Sequence, residues 1–158
     1  MYRLRKIWNP PLYQGKHKKR SYFEGWYFKL ISADQQQVLS VIPGVSFGNK
    51  RDDNHAFIQV IDGISCETHY VRYPLDALHY SDQVFEVSLG DNYFSSSMIQ
   101  LSIFDAAIQL HGTLTFNQSV PFPSTFFNPG IMGPFSFIPF MECYHGIVSV
   151  HHEINGSL

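Results

Sequence analysis

Apolar and polar positions alternate with a period of two along much of this chain, the spacing that sends successive side chains to opposite faces of a strand. Phe85 to Leu89 (FEVSL), Ile99 to Ile103 (IQLSI) and Ile108 to Phe116 (IQLHGTLTF) show it most cleanly. His55 to Asp62, Val38 to Ile42 and Tyr144 to His152 are rich in β-branched and aromatic residues and also predict strands. Turn signals stand at Asp62-Gly63, Gly90-Asp91 and Asn155-Gly156. No segment carries a capped apolar stripe at helical spacing. The pattern predicts an all-β antiparallel fold, either a lipocalin-like barrel or a sandwich.

Three regions interrupt the alternation. Residues 1–20 form a Pro-containing and then basic lead-in, and residues 21–158 form the β domain. Val120 to Pro139 holds prolines at 121, 123, 129, 134 and 139, too many for a central strand, and predicts a long loop serving as lid or pocket rim. Asn155-Gly156 reads as a hairpin with only Ser157 and Leu158 after it. The expectation is therefore an incomplete part of a longer two-part β fold, truncated at its C-terminal end. Such a fold would expose a β edge prone to self-association.

Length and composition narrow the classes. At 158 residues, with 44% hydrophobic and 16% aromatic residues, the chain has material for one well-filled domain. A net charge of -2 gives no global field for nucleic acid. No apolar run of about 18 residues exists to span a membrane as a helix, and the N-terminus lacks the apolar core of a secretory signal. Cys66 and Cys143 are too few for a disulfide framework, so a reduced, cytoplasmic setting is expected. The basic run Lys16, Lys18, Lys19 and Arg20, beside Trp8, Leu12 and Tyr13, would allow peripheral contact with anionic lipid.

The chemistry concentrates in two places. Asn128 to Ser149 (NPGIMGPFSFIPFMECYHGIVS) sets Glu142, Cys143 and His145 among Phe135, Phe137, Phe140 and Tyr144. A carboxylate among rings is costly unless paired or protonated, and desolvation raises its pKa, which is how a neutral-pH acid is made. Glu142 and His145, three apart, face opposite ways on a regular strand unless the chain bends at Glu142-Cys143. In the second place, Glu24, Trp26 and Phe28 share one face of an alternating strand. A structural Glu paired with an Arg or with backbone N–H groups is the plainer reading of Glu24. His151 and His152 are adjacent and the other histidines lack ligand spacing, so no metal site is expected. Gly44 to Lys50 (GVSFGNK) lacks the Lys-Ser/Thr ending of a phosphate loop and reads as a turn.

Taken together, Tyr22 to Lys29 (YFEGWYFK), Ile42-Pro43-Gly44, His55 to Val60 (HAFIQV) and the Asn128 to Ser149 segment resemble the tocopherol cyclase family, especially its bacterial members. The likeness runs from about residue 20 to 152, and members of that family continue past this point. It implies ring closure of a prenylated benzoquinol to a chromanol: an acid protonates the alkene and the phenol oxygen captures the tertiary cation. The parts required are a protonated carboxyl in a dry site and aromatic faces around the cation, with no metal and no redox cofactor. Glu24 and Glu142 are the acids on offer. Trp26, Phe28, Phe135, Phe137, Tyr144 and His145 are the residues for the substrate. The alternatives are a lipocalin-like module that binds an apolar isoprenoid or quinone without turnover, and an inactive fragment.

Overall fold

The computed structural model of the chain describes residues 7–138 and 143–158. Apart from the helical position Ile7, helix among these is confined to short 3-10 turns, and no helix is long and apolar enough to cross a membrane. One antiparallel sheet holds β1 (Tyr22–Gly25), β2 (Phe28–Ile31), β3 (Val38–Phe47), β4 (His55–Asp62) and β5 (Thr68–Tyr73). The other holds β6 (Leu78–Tyr80), β7 (Glu86–Leu89), β8 (Asn92–Ser95), β9 (Met98–Phe104), β10 (Gln109–Pro121) and β11 (Ser149–Ser157). Strands follow sequence order within each sheet, so the chain is a meander that changes sheet once, between β5 and β6, at Pro74 and the 3-10 turn Leu75–Ala77. The sheets do not close into a barrel, so the fold is all-β and sandwich-like, and the lipocalin-like barrel is set aside.

β1 and β2 lie end to end along β3, pairing as Gly25↔Gly44 and Phe28↔Val41. The gap between them faces Pro43, whose carbonyl accepts the Trp26 N–H at 2.9 Å. Within a strand the N and O of one residue point to the same side, so the proton that proline lacks is missing from this side of the ladder. Pairing across the gap is thus reduced to a single bond. A proline inside a central strand is tolerated here because its neighbour breaks opposite it.

The core is built by alternation. Val41, Val45, Ala56, Ile58 and Val60 point inward from the first sheet, and Val87, Leu89, Phe94, Ile99, Leu101 and Ile103 from the second. Each aliphatic or aromatic side chain fully buried this way contributes roughly 1.5–3 kcal/mol. Phe28 crosses the gap between the sheets, its ring 6.1, 5.8 and 6.0 Å from those of Phe85, Phe94 and Phe116.

The outer face of the first sheet has its own aromatic row. Phe57 lies between inward-facing Ala56 and Ile58, yet it is 0% exposed. Its ring is stacked between Phe23 (5.5 Å) and Tyr70 (4.8 Å) and lies over Gly44. A Cβ at residue 44 would stand 2.5 Å from Phe57 Cζ and 2.5 Å from the Glu24 carbonyl oxygen. That clash explains glycine in the Ile42-Pro43-Gly44 motif.

Several expectations are corrected. Tyr144 to Val148 is not strand; the strand starts at Ser149. Asn155-Gly156 is not a hairpin but part of β11, paired as Thr115↔Asn155 and Leu114↔Gly156. Gly156 has φ 127, and a Cβ there would meet the Thr113 oxygen at 2.1 Å, so this glycine serves close strand approach. The strand expected from Ile108 to Phe116 runs from Gln109 to Pro121, past the expected start of the loop though without alternation beyond Phe116, and Gly44 to Phe47 belongs to β3. The turns at Asp62-Gly63 and Gly90-Asp91 are present. Asp62 Oδ1 accepts the N–H groups of Ile64 and Ser65, which hold its carboxyl below the usual range. β11 and β6 are the edges of their sheet, and Cys66 and Cys143 are free and exposed.

Gly44→Ala should destabilise the chain by about 1–3 kcal/mol, because neither the Phe57 ring nor the backbone of β1 can yield without unpacking the row. Urea unfolding measures it, and an unchanged midpoint would contradict the steric account. A second expectation concerns pH. His152 packs its ring 4.8 Å from that of Phe116, and burial first, then neighbouring His151, push its pKa down. Protonation therefore favours the unfolded chain, so this part of the stability is present above the ordinary histidine pKa of about 6.5 and is lost as pH falls through the lower folded value. His152→Gln should flatten the decline in urea midpoint on acidification; parallel declines in parent and variant would exclude His152 as its source.

Candidate functional site

Burial along Tyr22 to Leu30 alternates strictly, with even-numbered residues turned inward, so Glu24, Trp26 and Phe28 do share one face. Their surroundings differ sharply. Trp26 is 8% exposed, its ring 6.0 Å from Phe85, and its indole N–H donates to the Pro11 carbonyl at 2.7 Å. Glu24 is half-buried at the end of the sandwich. The Gln14 N–H reaches both of its oxygens at 2.9 Å, the Gly15 N–H reaches Oε2 at 3.0 Å, and the Tyr22 hydroxyl donates to Oε2 at 2.6 Å. Acceptor-only geometry of this kind suits an ionised carboxylate.

These bonds fasten the lead-in to the sheet. Leu12 and Tyr13 are buried, and Gly15–His17 makes one 3-10 turn. Tyr13 packs 6.1 Å from Trp26 and 4.3 Å from Tyr80 of β6. An open cleft of about 250 Å³ forms beside the turn, walled by Tyr13, Phe47, Leu78 and Tyr80 with Lys16 and Lys18 at its edge. Of the basic run, Lys16 pairs with Asp82, and the Lys18 ammonium lies 5.5 Å over the Tyr22 ring.

A second assembly stands outside the sandwich. Residues 122–138 fold as turns and the 3-10 segment Gly133–Phe137, with Pro129 buried and most other side chains in solvent. Phe126 is 69% exposed, Phe127 79% and Phe135 60%. Trp8 joins this loop to the lead-in, stacking on Phe126 at 5.4 Å and meeting Phe137 edge-on at 5.7 Å. The indole nitrogen of Trp8 is shielded from solvent and has no acceptor among the described residues. Gly146 closes against Pro10, where a Cβ would stand 2.7 Å from the proline ring. The His145 N–H points at Met132 Sδ (3.3 Å), and the Tyr144 hydroxyl donates to the Ile138 carbonyl.

The residues expected for the substrate thus fall into two groups. Trp26 and Phe28 fill the interior, whereas Phe135, Phe137, Tyr144 and His145 lie on the exposed loop. Glu142 lies outside the described residues, as do Phe140 and Met141. Among the described residues, no three His, Cys, Asp or Glu side chains gather as metal ligands. Trp8, which touches Phe137, was legible only as an aromatic near a basic run; nothing in its spacing connects it to a loop more than a hundred positions away. Comparison with protein-family models, with curated proteins and with solved structures returned no match.

Removing the Glu24 carboxylate should loosen the lead-in. Glu24→Ala leaves two backbone N–H groups without their acceptor, and hydrogen bonds to charged groups are worth roughly 1.5–3 kcal/mol, so a loss of about 2 kcal/mol is expected. Amide exchange at Gln14 and Gly15 should quicken more than exchange in β3. Unchanged exchange at those two amides would show that the carboxylate does not hold the segment.

Proposed function

We propose that this chain binds an apolar ligand of the prenylated quinol type, as a tocopherol-cyclase-like β unit. The supporting observation is the loop of residues 122–148. Its described residues, 122–138 and 143–148, leave Phe126, Phe127, Phe135, Ile138 and Tyr144 exposed and are held by turns, by Pro129 and by the contacts of Trp8 and Pro10. Contiguous exposed rings on an ordered scaffold mark a surface that takes an apolar partner. Rings of this kind suit a flat quinoid head and an isoprenoid tail, which offer only apolar area apart from the ring oxygens.

Ring closure to a chromanol is the reaction that the resemblance attaches to such a ligand, and its acid would be a protonated carboxyl. Glu24 is disfavoured for that role because, among the described residues, Gln14, Gly15 and Tyr22 donate to its carboxylate, and each such donor favours the anion. The carboxyl to test is therefore Glu142, set by sequence among Phe140, Met141 and Tyr144. Peripheral lipid contact through the basic run and self-association along the β11 edge belong to the same reading, since both would bring an apolar ligand to the loop.

The test is calorimetric titration of the 158-residue chain with a decyl-tailed benzoquinol, with chromanol formation from a prenylated benzoquinol followed separately. Saturable binding is expected, and Phe126→Ser with Phe137→Ser should weaken it by about tenfold, the scale of two lost ring contacts. Absence of saturable binding would sink the proposal. Where chromanol forms, Glu142→Gln should slow it by about 100-fold, the scale of general acid catalysis, with binding little changed. Binding without any chromanol would decide for the module that holds its ligand and does not transform it.

A further inference from the structure

The Trp8 indole N–H is the one buried side-chain nitrogen or oxygen among the described residues that lacks a hydrogen-bond partner. The contrast with the second tryptophan is direct, since Trp26 delivers its N–H to the Pro11 carbonyl at 2.7 Å. Burying a donor unpaired costs roughly 1–3 kcal/mol, and such groups in folded chains call for a specific explanation. Here the donor sits where rings gather. Phe126 stacks on Trp8 with planes 22° apart, Phe137 meets it at 61°, and both rings come from the exposed loop. No strand holds either ring in place.

We infer that Trp8 is the polar recognition residue of this surface, its indole N–H donating to a ring oxygen of a quinone or quinol head. The inference rests on the ligand reading given above and adds the group that orients the ligand. An aromatic wall alone cannot distinguish an oxygenated ring from a plain alkylbenzene, because both offer the same apolar area. One buried donor can, because only the oxygenated ring satisfies it. The oxygen reaches the nitrogen beside Phe126 and Phe137, which turns and a 3-10 segment carry and which remain as the wall of the site. The head then lies against these rings, and the tail runs along the exposed apolar residues of the loop.

The experiment compares two probes, decyl-benzoquinone and decylbenzene, on the parent chain and on Trp8→Phe, by equilibrium dialysis. Phenylalanine keeps a stacking face and removes the donor. The parent should prefer the quinone by about fivefold to tenfold, the scale of one net hydrogen bond to an otherwise unpaired donor. Trp8→Phe should lose that preference through weaker quinone binding, with decylbenzene affinity unchanged. Tyr70→Phe, whose hydroxyl is already engaged by His55 on the outer face of the first sheet, should keep the parent's preference, and circular dichroism of each variant checks that the sheets are intact. Equal preference in parent and Trp8→Phe overturns the role of Trp8 while leaving the ligand reading standing. Failure of the parent to bind either probe overturns the ligand reading, and this inference with it.

Discussion

The carboxylate of Glu24 ties the lead-in at Gln14 and Gly15 to the sandwich, and the described contacts of both aromatic assemblies lie on either side of that junction. By accepting the N–H groups of Gln14 and Gly15, it turns the lead-in back across the end of the sheets. Tyr13 then reaches Trp26 and Tyr80, which spans the open step between the first sheet and β6. From the same bend Pro11 meets the Trp26 indole, Pro10 meets Gly146, and Trp8 reaches Phe126 and Phe137. A segment without periodicity of its own is thus ordered by side-chain acceptors and rings that belong to strands. Through Trp8 and Pro10 it meets the following loop at Phe126, Phe137 and Gly146.

The strands were legible where alternation was clean and the inward face was aliphatic, as in β7 and β9, because a single buried face imposes the period. β5, β6 and β8 carried weaker signals: THYVRY and LHY place Tyr and His on both faces, and Asn92 and Ser95 of β8 are buried through hydrogen bonds and not through apolar character. Asn155-Gly156 misled because the dipeptide encodes a backbone preference, not a turn. The left-handed freedom of Gly156 is used here for close approach to Thr113. Pro43 would argue against a central strand, and only the break between β1 and β2 makes room for it. For the site, the shared face of Glu24, Trp26 and Phe28 was readable from spacing, but its division into an anion clamp and a core was not. That division depends on Gln14, Gly15 and Phe85, which no local pattern links to the motif.

The two tryptophans show why aromatic content alone is a poor guide to a binding surface. Trp26 and Phe28 belong to the most aromatic motif of the chain, yet their rings are spent on joining the sheets, where Phe85, Phe94 and Phe116 meet them. Phe23, Tyr27 and Phe104 are exposed on or beside paired strands, whereas Phe126, Phe127, Phe135 and Phe137 are exposed on a proline-rich loop with no strand pairing among its described residues. Proline reduces the backbone freedom lost on ordering, so such a loop can hold a fixed shape with little burial. Exposure of its rings is then a property of the scaffold and does not require local unfolding.

The same reasoning bears on acid chemistry. A carboxyl that donates a proton near neutral pH must be poorer in hydrogen-bond donors than water would be, because every N–H or O–H aimed at it favours the anion. Glu24 sits at the opposite extreme, with two backbone amides and a tyrosine hydroxyl converging on it. Weakening that clamp to free a proton donor would release the lead-in, and with it the segment that places Trp8 against the loop. Structural and catalytic demands on Glu24 therefore conflict. A carboxyl outside this clamp would escape that conflict, and in this sequence Glu142 is the one set by composition in an aromatic run.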